Sequence, residues 1–102
     1  MAEYVLSNTA DADLDNIYTY SFEAYGENKA DAYFLDLRDC LQRLADSPLL
    51  GRPANVVRPD LFRHEHARHI VFYLIENDGI FIARILHCAM DVERQLAAGQ
   101  GD

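Results

Sequence analysis

The sequence predicts an α+β fold in the order β-α-α-β-β-β-(α), a helical hairpin packed on a small antiparallel-rich sheet. Three observations predict it. Residues 9–46 hold two apolar stripes at helical spacing with one glycine between them. Residues 69–86 hold two β-branched and aromatic runs around Asn77-Asp78-Gly79, a turn tripeptide with glycine where a positive φ is needed. All three prolines fall in 48–60, where the chain must cross from helices to sheet.

Taken in order, Tyr4-Val5-Leu6 reads as a brief strand leading into the capping residues Ser7-Asn8-Thr9. A helix begins near Thr9, with Asp11, Asp13 and Asp15 where the helix dipole favours negative charge. Its stripe is Ala10, Leu14, Ile17, Tyr18, Phe22 and Tyr25, and Gly26 supplies a left-handed stop. A second helix follows from Asn28 with Ala30, Tyr33, Phe34, Leu37, Leu41 and Leu44, closed by Ser47-Pro48. So short a connection folds the helices back as an antiparallel pair, with the acids on their exposed faces. Residues 48–60 read as loop, Leu61–Glu65 as a strand, and HIVFYLIE (69–76) with IFIARIL (80–86) as a β-hairpin. Asp91 can cap a short last helix carrying Val92 and Leu96, and residues 98–102 read as a frayed tail.

The 102 residues read as one domain, half apolar and a quarter charged, as in an ordinary globular protein. No apolar run is long enough for a bilayer, and the N-terminus lacks the basic and apolar regions of a signal peptide, so a cytoplasmic protein with no membrane partner is expected. Cys40 and Cys88 form no CxxC and read as reduced, small, mostly buried residues. The net charge of −8 is unevenly spread: ten acids meet three bases in residues 1–47, but four meet five in residues 48–90. An acidic chain is a poor non-specific ligand for nucleic acid, whose affinity comes from phosphate contacts, so no direct nucleic-acid partner is expected without a local basic face.

That middle segment contains FRHEHARHIVFY (62–73), two arginines and three histidines in eight positions. His64, His66 and His69 suit zinc by type. On a strand, however, His69 is at an odd offset from the other two, and convergence would need a turn at Ala67-Arg68; metal-free histidine patches are commoner. For phosphodiester cleavage, His69 or His87 could serve as acid or base, with Arg63, Arg68 and Arg84 holding the phosphate. Strands also expose arginines merely as solubilising or edge-protecting groups. Nucleotide-binding glycine loops, HExxH and GxSxG are absent.

YVLSNTADADLDNIYTYSFEAYG, LADSPLLGRP, VRPDLFRHEHARHIVFYLIENDGIFIARILH and the H-x-x-M-D of His87, Met90 and Asp91, in this order, resemble the toxins of the RelE/ParE superfamily, more closely the ParE branch. The last two blocks are the specific ones; the leading Ser7, Ala10, Asp13 and Leu14 are shared widely across the superfamily. The resemblance implies a non-enzymatic toxin of a type II toxin–antitoxin module that needs no cofactor and binds DNA gyrase. It also implies a ParD-like antitoxin with a ribbon-helix-helix end, held in a hetero-oligomer. RelE-type relatives instead cleave mRNA on the ribosome, and here His87, Arg68 and Arg84 would be the catalytic candidates. Those nucleases tend to carry a lysine-rich helix or strand and a Tyr or His near the C-terminus beside an Arg, whereas this chain has a single lysine, Lys29, and Cys88-Ala89-Met90 after His87.

On this reading Arg63, Arg68, His69, Arg84 and His87 form one basic patch for a protein partner. The toxic surface is expected within Arg84–Leu96, with Arg84, His87, Met90 and Arg94 toward the target. The antitoxin is expected on Tyr18, Phe22, Tyr33, Arg63, Arg68 and His69, although the three aromatics could equally be core.

Overall fold

The computed structural model describes residues 2–54 and 58–88. The expected last helix, the frayed tail, Met90 and Arg94 lie outside these. The chain starts with β1 (Glu3–Leu6), followed by α1 (Asn8–Tyr25) and α2 (Glu27–Asp46). Ser7 caps α1, its side chain accepting from the Ala10 N–H at 2.9 Å, which satisfies one of the amides that a helix start leaves without partners. Gly26, at φ 90°, ends α1 and starts α2 in one residue, so the helices fold back on each other.

Beyond Ser47 come a short 3-10 turn (Pro48–Leu50) and a two-residue strand β2 (Arg52–Pro53), both inside the segment expected to be plain loop. Then follow β3 (Leu61–His66), β4 (His69–Glu76) and β5 (Gly79–His87). The sheet order is β1-β5-β4-β3-β2, with β1 parallel to β5 and the other pairs antiparallel. The expected α+β arrangement of two helices on a sheet is what the chain adopts, with five strands of mixed direction. Proline at β2 is tolerated because the strand lies on the edge.

The helices cover one face, where Leu14, Ile17, Leu37, Leu41 and Leu44 pack on Val71, Tyr73, Ile80, Ile82 and Ile85. Each buried aliphatic side chain of this kind is worth about 1.5–3 kcal/mol over its exposed state, so burial docks the hairpin on the sheet. Ile70, Phe72 and Leu86, with Leu61, form a second cluster on the other face. Gly79, at φ 151°, lies so close to β1 that a Cβ there would overlap the Glu3 carbonyl. Tyr73 ties the crossing segment down: its hydroxyl donates to the Pro48 carbonyl at 2.5 Å and accepts from the Gly51 N–H at 3.0 Å.

Two irregularities position side chains. The register between β4 and β5 shifts so that Phe72 faces Arg84 and Tyr73 faces Ile82, leaving Ala83 as the extra residue of a β-bulge. The β3–β4 connection is the two-residue turn Ala67-Arg68, with Ala67 at φ 52°, a conformation that costs an alanine roughly 1–2 kcal/mol. Among the described residues no helix is long and apolar enough to cross a membrane.

Candidate functional site

The Ala67-Arg68 turn puts His66 directly opposite His69, and the β4–β5 register puts His87 opposite His69 on its other side. Three imidazoles therefore form a row across the end of the sheet, on the face shared with the helices. His64 belongs to the same face, opposite Val71. Tyr33 of α2 lies over the row, its ring centroid 6.1 Å from that of His66 and 5.6 Å from that of His69. The rings of His69 and His87 meet edge to face at 5.3 Å.

The Tyr33 hydroxyl and His69 Nδ1 are 2.6 Å apart. Burial, then the neighbouring His87, His66 and Arg68, depress the His69 pKa to about 4. Burial also raises that of Tyr33. Both are neutral at pH 7, and a proton on His69 Nε2 lets the phenol donate to Nδ1. His66 contacts Asp36 of α2 at 2.9 Å.

The expected single basic patch is divided. Arg63 alternates to the opposite face, where its guanidinium lies 5.7 Å from the Phe72 ring centre and 3.5 Å from Glu65. Arg84 is brought by the bulge against α1, donating through Nε and Nη2 to the two oxygens of Asp13 at 2.9 and 3.1 Å. The two side chains are only 16% and 12% exposed, so this pair is largely taken out of water. One Asp13 oxygen also accepts from the Ile85 N–H at 3.0 Å, and Ser7 donates to the Ala83 carbonyl at 2.8 Å. These two side chains serve the β5 edge where β1 has ended. His69 contributes no charge at neutral pH, which leaves Arg68, donating to the Tyr25 hydroxyl at 3.1 Å, as the exposed arginine beside the histidine row.

Arg68, His69 and His87 do line a common hollow of about 320 Å³ between the turn of the helical hairpin and the β3–β4 turn. Tyr25 and Lys29 stand at the same opening. A second hollow of about 460 Å³ adjoins it, sharing Tyr20, His69 and His87, and runs along α1 past Asp13 and Ile17. The three aromatics expected to receive an antitoxin do not share one face. Tyr33 points over the sheet, whereas Tyr18 bonds Asp31 at 2.6 Å and meets Phe34 edge-on, with the exposed Phe22 beside it. Cys40 is buried, but Cys88 is exposed just past β5, where the sheet no longer covers it. Among the described residues no group of three or more His, Cys, Asp or Glu side chains is placed to hold a metal.

The sequence reading misses the pairing of Asp13, taken as a helix-start charge and as part of the widely shared leading pattern, and Ser21, which is buried at a core position of α1 and lines the first hollow. A signal exists for each: Asp13 sits one residue before the stripe position Leu14, and Ser21 continues the spacing 10, 14, 17 in place of an apolar residue.

Residues 4–92 match the family model described as ParE toxin of type II toxin-antitoxin system, parDE. The chain belongs to the ParE toxin family. Its relatives include Toxin ParE1 of Mycobacterium tuberculosis (strain CDC 1551 / Oshkosh), 32% identical over 96 residues, which cover 93% of this chain and 98% of that protein. Toxin ParE1 of Caulobacter vibrioides (strain ATCC 19089 / CIP 103742 / CB 15) is 34% identical over 96 residues, covering 94% and 99%. Among solved structures, a chain of the chromosomal ParDE TA system from P. aeruginosa superposes with a TM-score of 0.72 at 25% identity, over 85% of this chain and 96% of that one. As a ParE family member, the chain carries its histidine row and its Asp13–Arg84 pair on the fold of that structural relative.

Proposed function

We propose that this toxin acts in the cytoplasm by binding DNA gyrase, without catalysing a reaction of its own, and that a ParD-like antitoxin neutralises it by direct binding. The match to the ParE toxin family over residues 4–92 carries the reading. The placement of the cations supports it: Arg84 is occupied by Asp13 and Arg63 lies on the far face, so few groups are left to clamp a phosphodiester. His69, with a pKa near 4, is a weak base at neutral pH.

For the gyrase surface we propose His87, Met90 and Arg94, with Arg84 holding the end of β5 in place through Asp13. For the antitoxin we propose Phe22 and Arg68, which are exposed, together with Tyr18, Tyr33, Arg63 and His69. Purified toxin added to gyrase and relaxed plasmid is expected to block supercoiling and to trap cleaved DNA, and co-expressed antitoxin to relieve both. Gyrase that works normally under excess toxin contradicts the proposal.

One observation favours the mRNA endoribonuclease reading: His69, His87 and Arg68 converge on one hollow. Mapping of transcript 5′ ends after induction decides it. New cuts that disappear in His87→Ala would establish the enzyme.

A further inference from the structure

The hollow beside the histidine row opens where the buried stripe of α1 carries a small residue. Along α1 the buried positions run Ala10, Leu14, Ile17 and then Ser21, which is 8% exposed. A leucine there would take up part of the space at its inner end; a serine leaves it open and puts a hydroxyl on its wall. A hydroxyl can both donate and accept, so this one is suited to a polar group of a bound molecule.

The chemistry of the wall is selective. Tyr20, Tyr25 and Tyr33 supply aromatic faces, and His69 and His87 supply imidazoles. Arg68 and Lys29, the chain's single lysine, supply the charge. The chain has 17 acids against nine Lys and Arg, yet among the described residues no carboxylate lines this hollow. Its volume of about 320 Å³ is at the small end of the range for ligand sites.

We propose that this hollow is a binding site for a small aromatic anion, one planar ring carrying a carboxylate or a phosphate. The ring lies against Tyr33 and the imidazoles, and Ser21 bonds a polar group at the inner end. Arg68 takes the anionic group in a charge-assisted hydrogen bond with Lys29 beside it. Binding to the isolated chain requires neither gyrase nor an antitoxin, so its test is independent of the function proposed above, although a partner seated on Tyr33, Arg68, His69 or His87 would compete for the hollow.

The test uses the purified full chain, titrated by ligand-observed and ¹H–¹⁵N NMR with phenyl phosphate and with salicylate. Phenol, a ring without charge, and inorganic phosphate, a charge without a ring, are the controls. Saturable binding of at least one probe with a Kd of about 0.1–1 mM, roughly tenfold or more tighter than both controls, is expected. Which probe binds tells phosphate from carboxylate. Ser21→Leu should abolish binding with the fold intact, and Arg68→Gln, an exposed change, should weaken it about tenfold. The proposal is overturned if neither probe saturates by about 10 mM, or if a control binds as well. It is equally overturned if folded Ser21→Leu binds as the parent does. Should Ser21→Leu fail to fold, an unchanged affinity in Arg68→Gln overturns it.

Discussion

Asp13→Ala should be among the most damaging single changes available on the helices, although an acid in the first turns of an acidic helix looks dispensable. Its carboxylate holds Arg84 through two bonds and caps the Ile85 N–H, with both side chains at least four-fifths buried. Removing one partner of a fully buried ion pair costs about 3–5 kcal/mol, and water reaching this pair reduces that share. The orphaned Ile85 N–H adds about 1 kcal/mol or more. A total of about 3 kcal/mol is a large part of the 5–15 kcal/mol that a domain has, and lowers Tm by about 12–24 °C. Asp13→Asn keeps an acceptor for Ile85 and should lose roughly half as much. Chemical denaturation of Asp13→Ala, Arg84→Met and the double variant gives the coupling directly. About 2 kcal/mol is expected, because the double variant no longer strands a buried guanidinium. A cost below about 0.5 kcal/mol for Asp13→Ala, typical of a surface ion pair, or additive single changes, would refute the reasoning.

Gly79→Ala should cost about 3 kcal/mol or more in a denaturant titration, because its Cβ would meet the Glu3 backbone at a φ that alanine avoids; a variant within 1 kcal/mol of the parent would place β1 elsewhere. Tyr73→Phe strands the Pro48 carbonyl and the Gly51 N–H and should cost about 1.5–3 kcal/mol, with earlier proteolytic cutting in residues 48–54; unchanged stability and cutting would show that these bonds do not hold the crossing segment. His69 has a folded pKa near 4 against an unfolded value near 6.5, so the unfolded chain takes up the proton first as pH falls. Its contribution is therefore complete above pH 6.5 and is lost between about 6.5 and 4. Tm should fall less steeply over that window in His69→Gln than in the parent, and parallel curves would contradict the shift.

Where local pattern decides structure, the chain is readable. HIVFYLIE is β4 residue for residue, and the strand after Asn77-Asp78 runs one residue past the expected run at each end. The helix that Ser7 caps, begun one residue before the expected Thr9, and the break at Gly26 follow from capping and backbone freedom. What escapes the sequence depends on distant partners. β2 is two residues long, has little pattern of its own and exists through pairing with Arg63 and Phe62. Asp13 and Arg84 are 71 positions apart and meet only because a bulge, invisible in IFIARIL, redirects Arg84. The histidine row needs a two-residue turn at Ala67-Arg68, which carries neither the glycine nor the asparagine that marks such turns. Without that turn His69 reads as out of phase, and Arg63 reads as its neighbour when it faces the other way.

A toxin that engages gyrase and leaves RNA whole can be told from a nuclease by inducing the chain in cells and following plasmid DNA and transcript ends in the same samples. Linearised or relaxed plasmid should accumulate with induction, and transcripts should keep unaltered 5′ ends. Intact, normally supercoiled plasmid alongside freshly cut transcripts would contradict gyrase as the target.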